Sequence, residues 1–118
     1  MEELLRNLKQ NLLRGLPGEE VQYLMAPKGR ARVQREQLVK EEHRKSAVLI
    51  LFCSDEKGLF VPLIERMPYE GIHSGQVSLP GGKQEQTDAD LSQTAIRECR
   101  EEIAPPGELE IIGPMSPL

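Results

Sequence analysis

Hydrophobic periodicity along this chain switches between extended and helical patterns, and the alternation predicts an α/β (α+β) fold. Ser46–Cys53 and Leu59–Glu65 are short apolar runs of the kind that form strands. Met1–Arg14 and the segment from Asp88 to Ile103 instead repeat apolar residues at helical spacing. We therefore expect strands and helices to follow one another within a single domain that takes in the whole chain.

The N-terminal extension, residues 1–45, is predicted to be partly helical and partly irregular. Leucines make one apolar stripe along Met1–Arg14, and Gly15 with Pro17 soon after is a helix stop. A second, short helix is expected near Glu19–Met25. A cluster of basic residues follows, which is typical of a solvated surface although it also suits phosphates: Lys28, Arg30, Arg32 and Arg35.

The central segment predicts three strands. Ser46–Cys53 is apolar and β-branched, so we expect a strand that is buried on both faces. A hairpin loop that ends in Gly58 leads to Leu59–Glu65, where Pro62 belongs at an edge or a bulge because proline has no N–H to donate. Gln76–Leu79 is predicted to be a third, short strand.

A turn and a long helix are predicted next. Pro80-Gly81-Gly82 is expected to stop the strand before it. Asp88 or Asp90 then caps a helix that runs to about Ile103. Pro105-Pro106-Gly107 ends this helix. Its buried face is predicted to consist of Leu91, Thr94, Ala95, Cys99 and Ile103.

Composition and charge limit the classes of partner. A net charge of −4 and a pI near 5.3 give no electrostatic attraction to nucleic acid or to an anionic membrane, so we expect neither as a partner. The longest apolar run, Ala47–Cys53, is far too short to cross a bilayer, and no secretory signal pattern opens the chain. Cys53 and Cys99 lack the spacing of a zinc site and are typical of reduced thiols, which indicates a cytoplasmic location.

Three acidic residues of the long helix form the strongest chemical pattern. Glu98, Glu101 and Glu102 lie at i, i+3 and i+4, so they project from one face and repel one another. Their oxygens suit a hard cation such as Mg²⁺, although a Glu-rich helix alone is typical of a solvated surface. Gly81-Gly82 upstream lets the backbone approach a metal or phosphate closely, which favours the functional interpretation.

This arrangement resembles the Nudix box, here residues 82–104. Gly82 is followed by five residues and then Asp88, and Arg97-Glu98-Cys99-Arg100-Glu101-Glu102 supplies the second half of the motif. The sequence departs from the family pattern at Asp88, where Glu is usual, and in the eight rather than seven residues before Arg97. Ala104-Pro105 also stands where Gly and an apolar residue are usual.

The longer spacing is similar to that of the coenzyme A pyrophosphatase branch of this family. The upstream signature of that branch is matched by Arg66, by His73-Ser74-Gly75-Gln76-Val77 and by Leu79-Pro80-Gly81-Gly82, with its spacing kept. Residues that depart from the signature are Ile64, Met67, Gly71 and Leu79. The resemblance covers about Ala47 to Ile103, and its Nudix half is the more specific.

The resemblance implies a Nudix-type α/β/α sandwich around a mixed sheet, and it assigns roles to individual residues. Mg²⁺ or Mn²⁺ would be bound by Glu98, Glu101 and Glu102, with the Gly82 carbonyl as a further ligand. The catalytic residues would be Arg97, Glu98 and Glu101. Substrate contacts would come from Arg66, His73, Gln76 and Gly81. Arg97 would orient neighbouring carboxylates, with Asp88 or Glu85 as its partner.

Alternatives remain open for several of these residues. His73 contacts the substrate or, equally well, holds its own turn by bonding to backbone, and Gln76 favours the structural role. The general base is not assigned, because Nudix enzymes vary in this residue.

The implied activity is hydrolysis of coenzyme A to phosphopantetheine and adenosine 3',5'-bisphosphate. One alternative is a Nudix hydrolase of another nucleoside diphosphate derivative such as ADP-ribose. Another is a truncated, non-catalytic remnant. The fold of the family normally continues beyond the box, yet only fifteen residues follow Ile103, of which Leu109–Ile112 predicts one more strand. We therefore expect residues 46–118 to be the front half of the core, incomplete at the C-terminus, with a homodimer as one way to cover its open faces.

Overall fold

A computed structural model of the chain describes residues 1–28, 44–71 and 74–117. The predicted basic residues Arg30, Arg32 and Arg35 and the predicted substrate contact His73 lie outside these ranges. Helices and short strands are both present, which confirms the α+β class. The chain divides into two compact units, and the predicted single domain with a boundary after residue 45 stays a prediction.

The first unit combines the described residues 1–28 with residues 110–117. Helix α1, Glu2–Leu13, and helix α2, Glu19–Leu24, confirm the two helices that the sequence predicts. Ser116 binds α2 and its cap, since its Oγ accepts from the Gly18 N–H at 3.1 Å and its carbonyl accepts from Gln22 Nε2 at 3.0 Å.

The predicted strand Leu109–Ile112 is wrong, because these residues join no ladder in the described part of the chain. Glu110 forms an ion pair with Lys9 of α1 instead. A side-chain contact of this kind holds the segment on the first unit without the backbone pairing that a strand requires.

The second unit, Arg44–Leu109, contains six short strands and one helix among its described residues. Strands β1, Ser46–Val48, and β6, Gly81–Lys83, pair antiparallel with Ala47 opposite Gly82. The Leu49 N–H donates to the Pro80 carbonyl at 2.8 Å and extends this ladder.

Strand β6 corrects the prediction that Pro80-Gly81-Gly82 is a turn. Gly81 and Gly82 are strand residues, and glycine is required at 81 because a Cβ there would overlap the Ala47 carbonyl and the Val48 backbone. The missing side chain lets the two strands approach closely, which is a known use of glycine within a sheet. The sequence pattern of a turn and that of a close strand contact are the same here.

The remaining strands form two further antiparallel pairs. Strand β2, Cys53–Asp55, pairs with β3, Gly58–Phe60, and β4, Ile64–Glu65, pairs with β5, Val77–Ser78. The hairpin loop ending at Gly58 is confirmed, with Gly58 at φ +125°.

Two long strands of the prediction are each divided in the structure. Ser46–Cys53 is interrupted at residues 49–52, and Leu59–Glu65 is interrupted at residues 61–63, where Pro62 lies. Proline cannot donate to a ladder, which explains the second break. Burial of Ser46–Cys53 on both faces is also wrong, because Val48 is 61% exposed and Ile50 is 42% exposed.

Helix α3, Leu91–Glu102, confirms the long helix of the prediction and packs against β1 and β6. Asp90 rather than Asp88 is its N-cap, since its Oδ1 accepts from the Gln93 N–H at 3.0 Å. Thr94, Ala95 and Cys99 form its buried face, as predicted, whereas Leu91 is 38% exposed. Among the residues described, no helix has the length and apolar character needed to cross a membrane.

Candidate functional site

The guanidinium of Arg97 is the centre of the candidate site. Its Nε donates to Asp88 Oδ1 and its Nη2 to Asp88 Oδ2, both at 3.0 Å, so the pair is bidentate. Nη2 also donates to the Lys83 carbonyl at the end of β6, at 3.0 Å. These bonds fix the guanidinium plane between the loop and the helix, which a lysine ammonium would not do.

The other terminal nitrogen of Arg97 faces the acidic turn of α3, by which we mean Glu98, Glu101 and Glu102. Nη1 donates to Glu98 Oε1 at 2.9 Å and to Glu101 Oε1 at 3.4 Å, and Glu85 Oε1 lies 3.6 Å away. The Arg97 side chain is only 20% exposed. Hydrogen bonds to Asp88 and then to Glu98 and Glu101 raise the pKa of Arg97, so it stays charged.

Asp88 is the more buried partner, with a side chain that is 5% exposed. Its Oδ2 also accepts from the Glu85 N–H at 2.9 Å and from Thr94 Oγ1 at 3.0 Å. The hydrogen bonds from Arg97, followed by that from the Glu85 backbone, hold the pKa of the Asp88 carboxyl far below its ordinary range. The sequence alone leaves either Asp88 or Glu85 as the partner of Arg97. The contacts identify Asp88, because it is bonded to Arg97 directly and in a bidentate manner.

Gly82 and Glu98 are in close contact across the boundary between β6 and α3. A Cβ on Gly82 would overlap the carboxyl group of Glu98, so a larger residue here would displace that carboxylate from its present position over the strand. Glu98 is also the least exposed acid of the turn, with 17% of its side chain exposed against 59% for Glu101. The Glu98 carboxylate therefore lies directly against the backbone at Gly82.

Glu102 bonds to the neighbouring glycine. Its Oε2 accepts from the Gly81 N–H at 3.0 Å, which fastens the end of α3 to β6. The predicted residues Gly81, Gly82, Arg97, Glu98, Glu101 and Glu102 are thus brought together in one region.

The donor chemistry of this region fits a hard divalent cation. Four carboxylates lie within 3.6 Å of the single Arg97 guanidinium, so negative charge is in excess. Mg²⁺ is commonly held by one or two carboxylates together with substrate phosphates, and Glu98 and Glu101 supply such a pair. In the described ranges, no three acidic, histidine or cysteine side chains converge on one point, since Arg97 and Gly81 engage the acids separately.

The predicted substrate contacts Arg66 and Gln76 lie opposite each other. The Arg66 N–H donates to the Gln76 carbonyl at 2.9 Å, which continues the β4–β5 pairing by one residue on each side. The loop beyond them is held by Ser74, whose Oγ accepts from the Tyr69 N–H at 2.9 Å. Arg97 and the four acids around it, Glu85, Asp88, Glu98 and Glu101, form what we call the Arg97 cluster. The contacts described here do not connect Arg66 or Gln76 to this cluster, so their substrate role stays a prediction.

Thr94 is a functional candidate that the sequence did not reveal. Its spacing predicts only that it belongs to the buried face, and it is indeed fully buried. The bond from its hydroxyl to Asp88 depends on how the loop before α3 folds back. The spacing of residues along the sequence does not predict this bond. A polar residue on the apolar face of a helix does indicate a buried hydrogen bond, since buried polar groups have partners.

Replacement of Asp88 by Asn is expected to lower the melting temperature by several degrees at neutral pH, because Arg97 loses its charged bidentate partner. The folded-state pKa of Asp88 is depressed, so its stabilising contribution is present above the ordinary value of 3.8 and is lost as the pH falls toward the lower folded-state value. The melting-temperature difference between the wild type and Asp88→Asn should shrink below about pH 4.

Glu85→Gln is the matched control for this prediction. Glu85 is 61% exposed and 3.6 Å from Arg97, so its loss should change the melting temperature little. Equal effects of the two substitutions, or a difference for Asp88→Asn that does not change with pH, would contradict the central role of Asp88.

Comparison with known proteins tests the family resemblance. The model of the NUDIX domain matches residues 43–117. A curated relative described as "Uncharacterized Nudix hydrolase NudL", from Escherichia coli O1:K1 / APEC, is 40% identical over 91 residues, which are 75% of this chain and 45% of the relative. Proteins with the same description from Escherichia coli O157:H7 (strain EC4115 / EHEC) and Shigella boydii serotype 18 (strain CDC 3083-94 / BS512) match to the same extent.

The chain spans less than half the length of these curated relatives. No solved structure matches it. The domain match nevertheless takes in more than half of this chain, including the whole Arg97 cluster. The resemblance that the motif predicts is therefore confirmed at the level of the superfamily, and the chain belongs to the Nudix family.

Proposed function

We propose that the protein is a metal-dependent hydrolase of pyrophosphate bonds. The observation that carries the proposal is the Arg97 cluster, in which Asp88 fixes the guanidinium on one side and Glu98 and Glu101 face it on the other. Members of the Nudix family generally use divalent metal cations, and an excess of carboxylates beside a glycine strand supports the same use here.

The residues proposed to hold Mg²⁺ or Mn²⁺ are Glu98, Glu101 and Glu102, with the Gly82 carbonyl. When bound, such a cation would neutralise phosphate oxygens and lower the pKa of the attacking water. Nη1 of Arg97 bonds to both Glu98 and Glu101, which supports a role for Arg97 in orienting the two proposed ligands.

Coenzyme A is the substrate that we propose. The support is the sequence signature from Arg66 to Val77, which matches the coenzyme A pyrophosphatase branch in spacing. Water would add to one phosphorus of the diphosphate while the bridging P–O bond breaks, giving phosphopantetheine and adenosine 3',5'-bisphosphate. The departures at Met67 and Gly71 favour the second candidate, a Nudix hydrolase of a nucleoside diphosphate derivative such as ADP-ribose.

The cytoplasm is the proposed location, and small nucleotides rather than nucleic acids or membranes are the proposed partners. Two cysteines without the spacing of a zinc site support a reducing compartment, and the net charge of −4 does not attract polyanions. A homodimer also stays a proposal, motivated by exposed apolar strand residues such as Val48 and Val77.

Addition of Mg²⁺ or Mn²⁺ is expected to raise the melting temperature of the protein, because a ligand that binds only the folded state stabilises it. Glu101→Gln should abolish the rise, since a neutral amide is a much weaker ligand for a hard cation. Differential scanning fluorimetry with and without metal measures the effect. Glu56→Gln, an exposed change in the β2–β3 turn, is the control and should keep the full rise.

Melting curves that are the same with and without metal would count against the metal site. A rise of equal size in Glu101→Gln would show instead that a cation binds elsewhere.

Coenzyme A is expected to be cleaved at its diphosphate when the protein is incubated with Mg²⁺ or Mn²⁺. Product separation by liquid chromatography with mass detection should give the two named products, and reaction in ¹⁸O water should label only one of them. Glu98→Gln should reduce the rate by about tenfold or more, because replacement even of a group that only orients a metal ligand commonly costs ten- to a hundredfold. Efficient cleavage of ADP-ribose with coenzyme A left intact would support the second candidate, and no cleavage of either would contradict the proposed activity.

A further inference from the structure

Thr94 is a buried polar residue in the first turns of α3, with none of its surface exposed. Its Oγ1 lies 3.0 Å from Asp88 Oδ2 and 3.3 Å from the Asp90 carbonyl. A hydroxyl has one proton to donate, and threonine within a helix often gives it to the carbonyl four residues earlier. Here the shorter contact is to an ionised carboxylate, so the charge-assisted bond to Asp88 is the stronger one.

The carbonyl of Asp90 does not depend on this hydroxyl, because it already accepts the Thr94 backbone N–H at 3.2 Å. Asp88 Oδ2 depends more on the Thr94 hydroxyl as a hydrogen-bond donor than the Asp90 carbonyl does. It accepts three donors, which are Thr94 Oγ1, Arg97 Nη2 and the Glu85 N–H, at 2.9–3.0 Å. A carboxylate with 5% of its surface exposed has little water available to replace a lost donor.

The contact is therefore one end of a chain of bonds that runs toward the acidic turn. Thr94 and the Glu85 backbone fix the plane of the Asp88 carboxylate, and this plane fixes the guanidinium of Arg97 through two parallel bonds. The remaining nitrogen of Arg97 then points at Glu98 and Glu101. A tilt of the carboxylate at the start of this chain would move Nη1 away from both acids.

We infer that Thr94 is a positioning residue whose buried hydroxyl, acting through Asp88 and Arg97, sets the orientation of Glu98 and Glu101. This inference rests on the proposed function for the identity of those two acids as metal ligands. It assigns Thr94 no contact with metal or substrate. Outer groups that orient ligands commonly change metal affinity by ten- to a hundredfold when they are replaced.

The test compares Thr94→Val, which removes the hydroxyl at nearly constant volume, with Thr94→Ser, which keeps it. Mn²⁺ affinity is measured on the full 118-residue chain by electron paramagnetic resonance. Thr94→Val should weaken Mn²⁺ binding about tenfold. Thr94→Ser should stay within about twofold of the wild type, because the hydroxyl that bonds Asp88 is retained.

Ser92→Ala is the matched control. It also removes a hydroxyl from the start of α3, but Ser92 Oγ donates to Asp90 Oδ1, which has no bond to Arg97. A small loss of stability with unchanged Mn²⁺ affinity is expected. A tenfold loss in Ser92→Ala as well would mean that any weakening of this helix has the same effect, and it would overturn the inference.

A second readout does not use metal. The side-chain Nε–H of Arg97 gives its own signal in a ¹H–¹⁵N correlation spectrum, and its bond to Asp88 shifts the signal and slows its exchange with water. Thr94→Val should move the signal and speed the exchange, and Thr94→Ser should not. A folded Thr94→Val protein whose Arg97 signal is the same as in the wild type overturns the inference. If the wild type binds no Mn²⁺ but Thr94→Val still changes the Arg97 signal as expected, only the proposed function is overturned.

Discussion

The bidentate pair between Asp88 and Arg97 is the interaction on which the candidate site depends. It joins the loop before α3 to the second turn of that helix, and a further bond from Arg97 reaches the Lys83 carbonyl at the end of β6. Both side chains are largely shielded from water, so their attraction is screened less than that of a surface pair. One guanidinium thereby holds together three consecutive segments of the chain, which are β6, the loop and α3.

The sheet contributes to the same site through the glycines of β6. Gly81 allows β6 to lie close against β1, and Gly82 leaves the space that the Glu98 carboxylate occupies. The Gly81 N–H then bonds to Glu102. Because side chains are missing at both positions, the acidic turn of α3 lies against backbone, which is where a cation can share carboxylate and carbonyl oxygens.

Sequence patterns predict those parts of this structure that depend on local order. Helical spacing correctly places Thr94, Ala95 and Cys99 on the buried face of α3, although it also includes Leu91, which is 38% exposed. Residue type offers both Asp88 and Asp90 as the cap, and only the structure shows that Asp90 is the one. The Nudix motif also identifies Arg97 and the three acidic residues of α3 as candidate site residues. The β6 strand is not predicted, because Pro-Gly-Gly has the composition of a turn and its pairing depends on β1, more than thirty residues earlier.

The contacts of individual side chains are the other part that sequence leaves open. Glu85 and Asp88 are both acidic residues of the segment between Gly82 and Arg97, and the backbone turn between them makes Asp88 the inner partner of Arg97. Val48 is exposed although the apolar composition of Ser46–Cys53 predicts burial on both faces. Composition alone cannot predict this exposure, because burial depends on which elements lie against a strand.

Crystals soaked in Mn²⁺ and measured by anomalous diffraction would locate the cation. We expect a manganese peak beside Glu98, Glu101 and the Gly82 carbonyl, with Arg97 still bidentate to Asp88. A peak in that position with the guanidinium turned away from Asp88 would contradict the role of the pair as the fixed element. The absence of any peak beside this turn would contradict the metal site itself.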